Sequence, residues 1–409
     1  MLPGSAGRCP VKRVGIVLPR WHPSVVGGAE ALGWQWATLL KSSYPVDLLT
    51  TCALDLTTWA NDLPARTTEE NGITVRRFRV SQERTLYWHE LHLRLLTARA
   101  QLAPGQPAVP WSLALQEEFI RRQGPYSPEL LTFLAQEWQQ YRALIFLPYL
   151  YGTTYFSARL IPRSLFVLAP LLHDEAPARL SVYGLMARRA RMVLWNTPAE
   201  RAFGEALWGK LTGRIGGMGI DTRERQPAEL NFPYILYCGR IDAHKGCDEM
   251  IRHFLQYKQE RPSPLRLVLT GKDELGLPSH PDIDFRGFVS EEEKFELMAG
   301  ARLFVLLSRN ESLSISTLEA MAQKTPVLVS AKAPVLVEHV RLSGGGFACG
   351  DYQGFAQAVN RVLDQPGEAD QMGRRGREYV MANYSQDRVK AVLTDTVQEA
   401  ITPAMVDKQ

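Results

Sequence analysis

The chain has 409 residues, a length that predicts about two or three domains and excludes a single small module. With 45% hydrophobic and 22% charged residues it has a globular composition with material for separate cores, which excludes disordered and fibrous classes. The formal charge of +4 hides an asymmetry: residues 1–230 carry 26 basic and 19 acidic side chains, net +7, whereas residues 231–409 carry 21 and 24, net −3. The N-terminal half is therefore expected to meet something acidic. Five scattered cysteines (Cys9, Cys52, Cys238, Cys247, Cys349) without a C-x-x-C pair signal neither a disulfide framework nor a zinc cluster and suit a reduced cytoplasm. No apolar run reaches the roughly 18 residues that span a bilayer, and the start, Met-Leu-Pro-Gly-Ser-Ala-Gly-Arg, does not read as a secretory signal. Membrane contact is expected to be peripheral.

Residues 11–18 read as a strand, followed by a loop with Gly27-Gly28 and an apolar-periodic helix over 29–40. Strands are expected at 46–51, 73–80, 144–147, 165–169 and 192–195. Residues 81–140 lack strand character, carry Trp88, Trp111 and Trp138, and read as a helical insertion. Thr197-Pro198-Ala199-Glu200 places an N-cap, a proline at the first helical position and a glutamate three residues after the cap, so a helix starts there. The polar stretch 222–231 reads as a linker. After it come strands at 234–238, 265–269, 283–285, 303–307 and 326–329, with helices at 248–259, 291–299 and 316–323 and more helices to the end. Alternating strands and helices imply parallel sheets covered on both faces. The expected division is an N-terminal domain over 1–221, a C-terminal domain over 232–384, and a last helix within 385–409 that packs back on the first domain.

Open parallel sheets bind ligands at the carboxyl ends of their strands, so the loops after strands carry the chemistry. In Gly27-Gly28-Ala29-Glu30 the glycines allow close backbone approach and the helix start offers N–H groups to a phosphate, although such a pair also serves as a plain turn. The loop Gly239-Arg240-Ile241-Asp242-Ala243-His244-Lys245-Gly246 sets two cations five residues apart beyond a buried strand. They suit the developing charge of a diphosphate leaving group; the alternative is a solvated basic loop. Glu311 and Glu319 stand eight apart after another strand, and carboxylates accept hydrogen bonds from the diols of a sugar and a ribose. Glu319 also forms a capping-box pattern with Ser316, as Glu293 does with Ser290. Asp282-Ile283-Asp284 fits a metal-holding D-x-D pattern but reads as a turn into a strand with both aspartates on a solvated face, and no metal is expected there.

Together, GGAE near the start, GRIDAHKG, FRGFVS and the E-x7-E within NESLSISTLEAMAQKTPVLVS resemble the family 4 glycosyltransferases. The likeness runs from about residue 11 to 395 and is strongest over 234–346. It implies an α/β protein of GT-B fold, two Rossmann-like parallel-sheet domains facing a central cleft. It also implies transfer of a hexose-type sugar from a nucleotide-diphosphate donor to the hydroxyl of a sugar, glycan or lipid-linked acceptor. Retention of anomeric configuration is implied, with neither metal nor cofactor. The alternatives are an enzyme of the same architecture without transfer, such as a nucleotide-sugar epimerase, and a silent nucleotide-sugar-binding protein.

Carried onto this chain, the resemblance gives Arg240 and Lys245 to the donor diphosphate, Glu319 to the ribose and Glu311 to the donor sugar. The backbone of Leu313, Ser314 and Ile315 would meet phosphates or sugar, Phe288 and Val289 would flank the base, and Gly27 and Gly28 would approach the diphosphate. His173, in Leu171-Leu172-His173-Asp174-Glu175, would contact the donor sugar. The family's usual phenylalanine-glycine is Leu313-Ser314 here, which leaves the backbone less free to adopt φ > 0; the serine fits if the local φ is negative, so the departure bears on the geometry of the donor loop and not on the family. Acceptor choice is expected in the N-terminal domain. There the run Arg76-Arg77-Phe78-Arg79 with Arg84, Tyr87, Trp88, Arg94 and Arg99 fits either a solvated helical face or an anionic membrane or lipid-diphosphate acceptor. Nucleic acid is not an expected partner, and the expected location is cytoplasmic, extending to the inner face of the membrane.

Overall fold

A computed structural model describes residues 12–25 and 27–399; Cys9, Val11 and the rest of the N-terminal start lie outside them. Contacts divide the chain into two units, one running up to Gly216 and resuming at Lys390, the other Gly217–Val389.

The first unit is built on strands β1 (Arg13–Val17), β2 (Val46–Thr51), β3 (Thr67–Glu70), β4 (Ile73–Phe78), β5 (Tyr141–Phe146), β6 (Phe166–Leu168), β7 (Met192–Trp195) and β8 (Gly213–Ile215). Their order in the sheet is β3-β4-β2-β1-β5-β6-β7-β8. All neighbours pair parallel except β3, which runs antiparallel to β4. Helices α1 (Gly28–Leu40), α2 (Leu86–Ala100), α3 (Leu113–Gln123), α4 (Pro128–Glu137), α5 (Gly152–Tyr155), α6 (Ser181–Ala187) and α7 (Pro198–Trp208) connect the strands, with α2 to α4 lying between β4 and β5. The central strands are buried on both faces, as a sheet flanked by helices requires.

Two departures from the sequence reading have physical causes. β3, Thr-Thr-Glu-Glu, has no apolar face; it exists because an Asn71-Gly72 turn folds it back on β4 as an exposed edge. β5 begins at Tyr141, earlier than the apolar run, because the Tyr141 hydroxyl reaches the fully buried Asp47 carboxylate at 2.7 Å. Arg13 and Arg76 also serve Asp47, and a buried carboxylate needs this many partners.

The second unit holds β9 (Tyr234–Cys238), β10 (Arg266–Thr270), β11 (Ile283–Phe285), β12 (Leu303–Leu306), β13 (Val327–Ser330) and β14 (Gly346–Cys349), all parallel, in the order β11-β10-β9-β12-β13-β14. Its helices are α8 (Cys247–Glu260), α9 (Glu291–Gly300), α10 (Ile315–Ala322), α11 (Pro334–Ser343), α12 (Tyr352–Asp364) and α13 (Pro366–Tyr384). Residues 222–231 lie along this unit: the Ala228 amide donates to the Glu296 carbonyl, and Leu230 packs on the core. The last helix, α14 (Gln386–Glu399), crosses the division, and its end pairs in the first unit, where Arg214 binds Glu399 and Asp395.

Among the parallel strands of each sheet, chain order reverses at one place, between β1 and β5 and between β9 and β12. Loops leaving the carboxyl ends of two such strands diverge and open a crevice, which is where doubly wound sheets take ligands. Among the described residues no helix is long and apolar enough to cross a membrane.

Candidate functional site

In the second unit the reversal brings together the loops after β9 and β12. Gly246 ends the first at φ +70, and a Cβ there would stand 2.3 Å from the Leu307 carbonyl oxygen, so only glycine allows the two loops to touch. Contact aligns their side chains: Lys245 Nζ lies 2.7 Å from Glu311 Oε1, with the carboxylate mostly buried. Asp242 organises the rest of the loop. Its Oδ1 accepts from the Lys245 amide at 2.8 Å and its Oδ2 lies 2.6 Å from Arg240 Nε, while the Arg240 side chain stays about half exposed. Both cations and the first glutamate singled out from the sequence thus share one strand-end cluster.

The loop after β12 enters α10 through Ser314, and the condition of negative φ is not met: Ser314 has φ +65, ψ +71. A serine in the left-handed region costs on the order of 1 kcal/mol, which neighbouring interactions must offset. The Ser314 hydroxyl bonds Thr317 Oγ1 at 2.8 Å, and the preceding Leu313 carbonyl accepts from His339 Nε2 at 2.8 Å. A carbonyl can only accept, so His339 carries its proton on Nε2 and Nδ1 takes the Tyr379 hydroxyl at 3.0 Å. Burial holds this imidazole neutral and lowers its pKa to about 4. Sequence reading missed His339 because α11 and the loop meet only in the fold.

Ser316 and Glu319 do not form the expected capping box, since Ser314 is the N-cap of α10 and has no side-chain cap bond. Glu319 turns instead to Lys294 of α9, 2.9 Å away, which also binds Glu291. Burial pushes the Glu319 carboxyl up from the ordinary carboxylate range, against the pull of Lys294. Ser290 does cap α9, accepting from the Glu293 amide at 3.1 Å. Phe288, in the loop before α9, is 73% exposed with Val289 half-buried beside it. The D-x-D aspartates are not simply solvated: Asp282 pairs with Lys258 at 3.4 Å and Asp284 with Arg286 at 3.1 Å.

The first unit's reversal point gathers the loops after β1 and β5. Glu30, in the first turn of α1, is buried against Arg20, whose Nε donates at 2.6 Å while Nη1 reaches the Leu54 carbonyl. Glu30 Oε2 fills the space where a Cβ on Gly27 would be, and Gly28 has open space around it. His173 lies in the loop after β6, whose other members are all tied down. Asp174 binds Arg99 and Arg179 at 3.0 Å, and Glu175 accepts from the Tyr149 hydroxyl at 2.7 Å and stands 3.6 Å from His173 Nε2.

The strongest tie is Glu200 of α7, fully buried, which accepts from the Leu172 amide at 2.6 Å and the Asn196 amide at 2.5 Å. Burial raises its pKa to about 8 against the backbone N–H groups that favour the carboxylate. The sequence offered Glu200 only as a helix-start residue. Thr197 does cap that helix, accepting from the Glu200 amide at 3.0 Å, but the side chain of Glu200 faces the His173 loop instead.

The basic run of the first unit is not a continuous surface stripe. Arg76 pairs with Asp47, Arg77 is buried over Trp21, Arg79 pairs with Glu129 and Arg99 with Asp174.

Residues 220–379 match the family described as glycosyl transferases group 1. Over 142 residues the chain is 28% identical to a GDP-mannose-dependent alpha-(1-6)-phosphatidylinositol dimannoside mannosyltransferase of Mycobacterium tuberculosis, covering 32% of this chain and 36% of that relative. The chain thus spans about a third of that relative's length. Among solved structures, sucrose-phosphate synthase from Thermosynechococcus elongatus superposes with a TM-score of 0.68 at 18% identity, covering 95% of this chain and 98% of that one. The Anabaena protein HepE, solved with UDP and glucose, superposes with a TM-score of 0.65 at 15% identity, covering 95% and 99%.

Proposed function

With residues 220–379 belonging to the group 1 glycosyl transferases, on a pair of parallel-sheet units of the GT-B kind, we propose that this protein transfers a hexose-type sugar from a nucleotide diphosphate to an acceptor hydroxyl. The observation that carries the reading is the Lys245–Glu311 pair at the reversal of the second sheet, with Arg240 beside it. As the nucleotide leaves, negative charge grows on its β-phosphate, and Arg240 and Lys245 stand ready to meet it. Glu311, already holding Lys245, takes hydroxyls of the donor sugar; Glu319 takes the ribose diol, and exposed Phe288 with Val289 takes the base. The left-handed turn at Leu313-Ser314-Ile315 supplies backbone N–H groups to phosphate or sugar.

No chain nucleophile is required. Glu311 is engaged by Lys245, and the departing phosphate can accept the proton of the attacking hydroxyl on the same face of the sugar, which gives retention. The diphosphate charge is met by side-chain cations without a metal ion. The first unit serves the acceptor and contributes His173 and the Gly27-Gly28 turn to substrate. That the mycobacterial relative is named for GDP-mannose and the Anabaena structure holds UDP leaves the base as the quantity to measure.

The test is a screen of radiolabelled UDP-, GDP- and ADP-hexoses with the full chain, read as hydrolysis or transfer. One nucleotide class is expected to give turnover. Failure of every nucleotide diphosphate to bind, read as absence of thermal stabilisation, overturns the proposal.

A further inference from the structure

Most first-unit arginines are neutralised by carboxylates or backbone carbonyls. Arg84 is different. It is half-buried, and among the described residues it pairs with no carboxylate. Its guanidinium lies 4.2 Å from the Trp88 ring centroid and 5.4 Å from that of Trp59. The carbonyl of Gln123 absorbs one side of it, accepting from Nε at 3.2 Å and Nη2 at 2.8 Å. The same carbonyl accepts from Trp59 Nε1 at 2.8 Å, and the Gln123 side chain accepts from Trp88 Nε1 at 2.6 Å, so both rings and the cation are fixed by one residue. Nη1 is the guanidinium nitrogen left without a protein acceptor among the described residues.

This arrangement has a cost that the rings only partly offset. Taking a guanidinium partly out of water without a paired carboxylate is costly, and a cation over an indole returns only part of that cost. Stacking and the Gln123 carbonyl nevertheless hold the fork in one plane with one edge free, the geometry that recognises a phosphate or carboxylate. Arg77 shows the contrast: it too stacks on an indole, Trp21, but is buried so deeply that no ligand could reach it.

The cluster also borders the candidate site. Trp59 packs edge-on against Tyr151, with ring centroids 5.2 Å apart. The Tyr151 hydroxyl, raised to about 12 mainly by burial, feels Arg84, Glu175 of the His173 loop, and Glu30 and Arg20 of the Gly27-Gly28 loop. Tyr151, in the loop after β5, therefore joins the Arg84 cluster to the first unit's reversal point.

We infer that Arg84, framed by Trp59, Trp88 and Tyr151, is the acceptor subsite for an anionic group, a phosphate or carboxylate carried by the molecule whose hydroxyl is glycosylated. This rests on the proposed transfer reaction and deepens it by naming the acceptor class. A soluble sugar phosphate and a phospholipid headgroup present the same chemistry, so the experiment separates them.

Binding to the full chain is measured by calorimetry for glucose 6-phosphate, mannose 6-phosphate and inorganic phosphate, and by sedimentation for phosphatidylinositol and phosphatidylglycerol vesicles. UDP and GDP serve as site-intact controls. At least one anionic probe is expected to bind, and Arg84→Gln is expected to weaken it tenfold or more while nucleotide binding and melting temperature stay at wild-type values. Arg84→Lys, which keeps the charge and loses the fork, is expected to restore only part. Binding confined to the sugar phosphates assigns a soluble acceptor, and binding confined to vesicles a lipid one. Anion binding that ignores Arg84, or none while a nucleotide still binds, overturns the inference. Absence of nucleotide binding with Arg84-dependent anion binding intact would instead sink the transfer reading and leave the anion site standing.

Discussion

The two units share one architecture but hold their candidate ligand-binding cations differently. In the second unit, cations are held by carboxylates: Lys245 by Glu311, Arg240 by Asp242, Lys294 by Glu319. In the first, Arg76, Arg121 and Arg159 also pair with carboxylates, whereas Arg84 lies over Trp59 and Trp88 with no carboxylate partner among the described residues. A carboxylate can exchange its cation for a ligand, so paired groups suit a donor that brings both phosphates and hydroxyls. A ring accommodates a cation without cancelling it, so Arg84 keeps its charge while partly buried.

Breaking the second unit's arrangement is expected to have the largest effect. Lys245→Ala removes the cation that would face the leaving phosphate and leaves Glu311 without its partner, so turnover is expected to fall at least about tenfold. Steady-state transfer or donor hydrolysis measures it. Near-normal rates in a folded variant would mean that the Lys245–Glu311 pair is only structural, and the contrast between the units would lose its functional sense.

The parallel-sheet pattern, the two α/β units and the strand-end loops were readable from the sequence because apolar strands buried on both faces write themselves as continuous runs. So was the placement of Arg240, Lys245 and Glu311 in loops at strand ends. The parts that were not readable depend on a partner distant in sequence. The left-handed Ser314 is tolerable where the Thr317 hydroxyl and the His339-held Leu313 carbonyl fix the turn, and no local rule announces His339 from 26 residues away. Glu319 satisfied a capping pattern that the closer demand of Lys294 overrode. Glu200 matched its helix-start motif so well that its second duty, to the Leu172 amide, stayed hidden.

That second duty gives the next prediction. Glu200→Leu strands the buried Leu172 and Asn196 amides, at about 1–3 kcal/mol for such groups, and frees the loop that presents His173. As a positioning residue, Glu200 is expected to change kcat by about tenfold in the leucine variant with little change in nucleotide affinity, since the nucleotide is assigned to the other unit. Glu200→Gln, which retains one acceptor, is expected to recover part of the loss. Equal loss of kcat and nucleotide binding would show general unfolding in place of loop positioning.

The smallest effect is also the most direct comparison of the units, because each anchors a site loop through one buried titratable group, and the two groups shift in directions that oppose each other in pH. Glu200 rises from 4.5 to about 8 on folding. Between those values the folded chain holds a proton that the unfolded chain has lost, so its contribution to stability falls as pH climbs from about 4.5 to 8. His339 drops from 6.5 to about 4. There the unfolded chain holds the extra proton, and stability rises with pH from about 4 to 6.5. Unfolding midpoints of the wild type, Glu200→Gln and His339→Gln across this range separate the two. The glutamate variant is expected to flatten the decline toward alkaline pH, and the histidine variant the rise from acid. Parallel pH profiles in all three proteins would show that neither group titrates as its burial dictates, and that the two loops are held by packing around them and not by these hydrogen bonds.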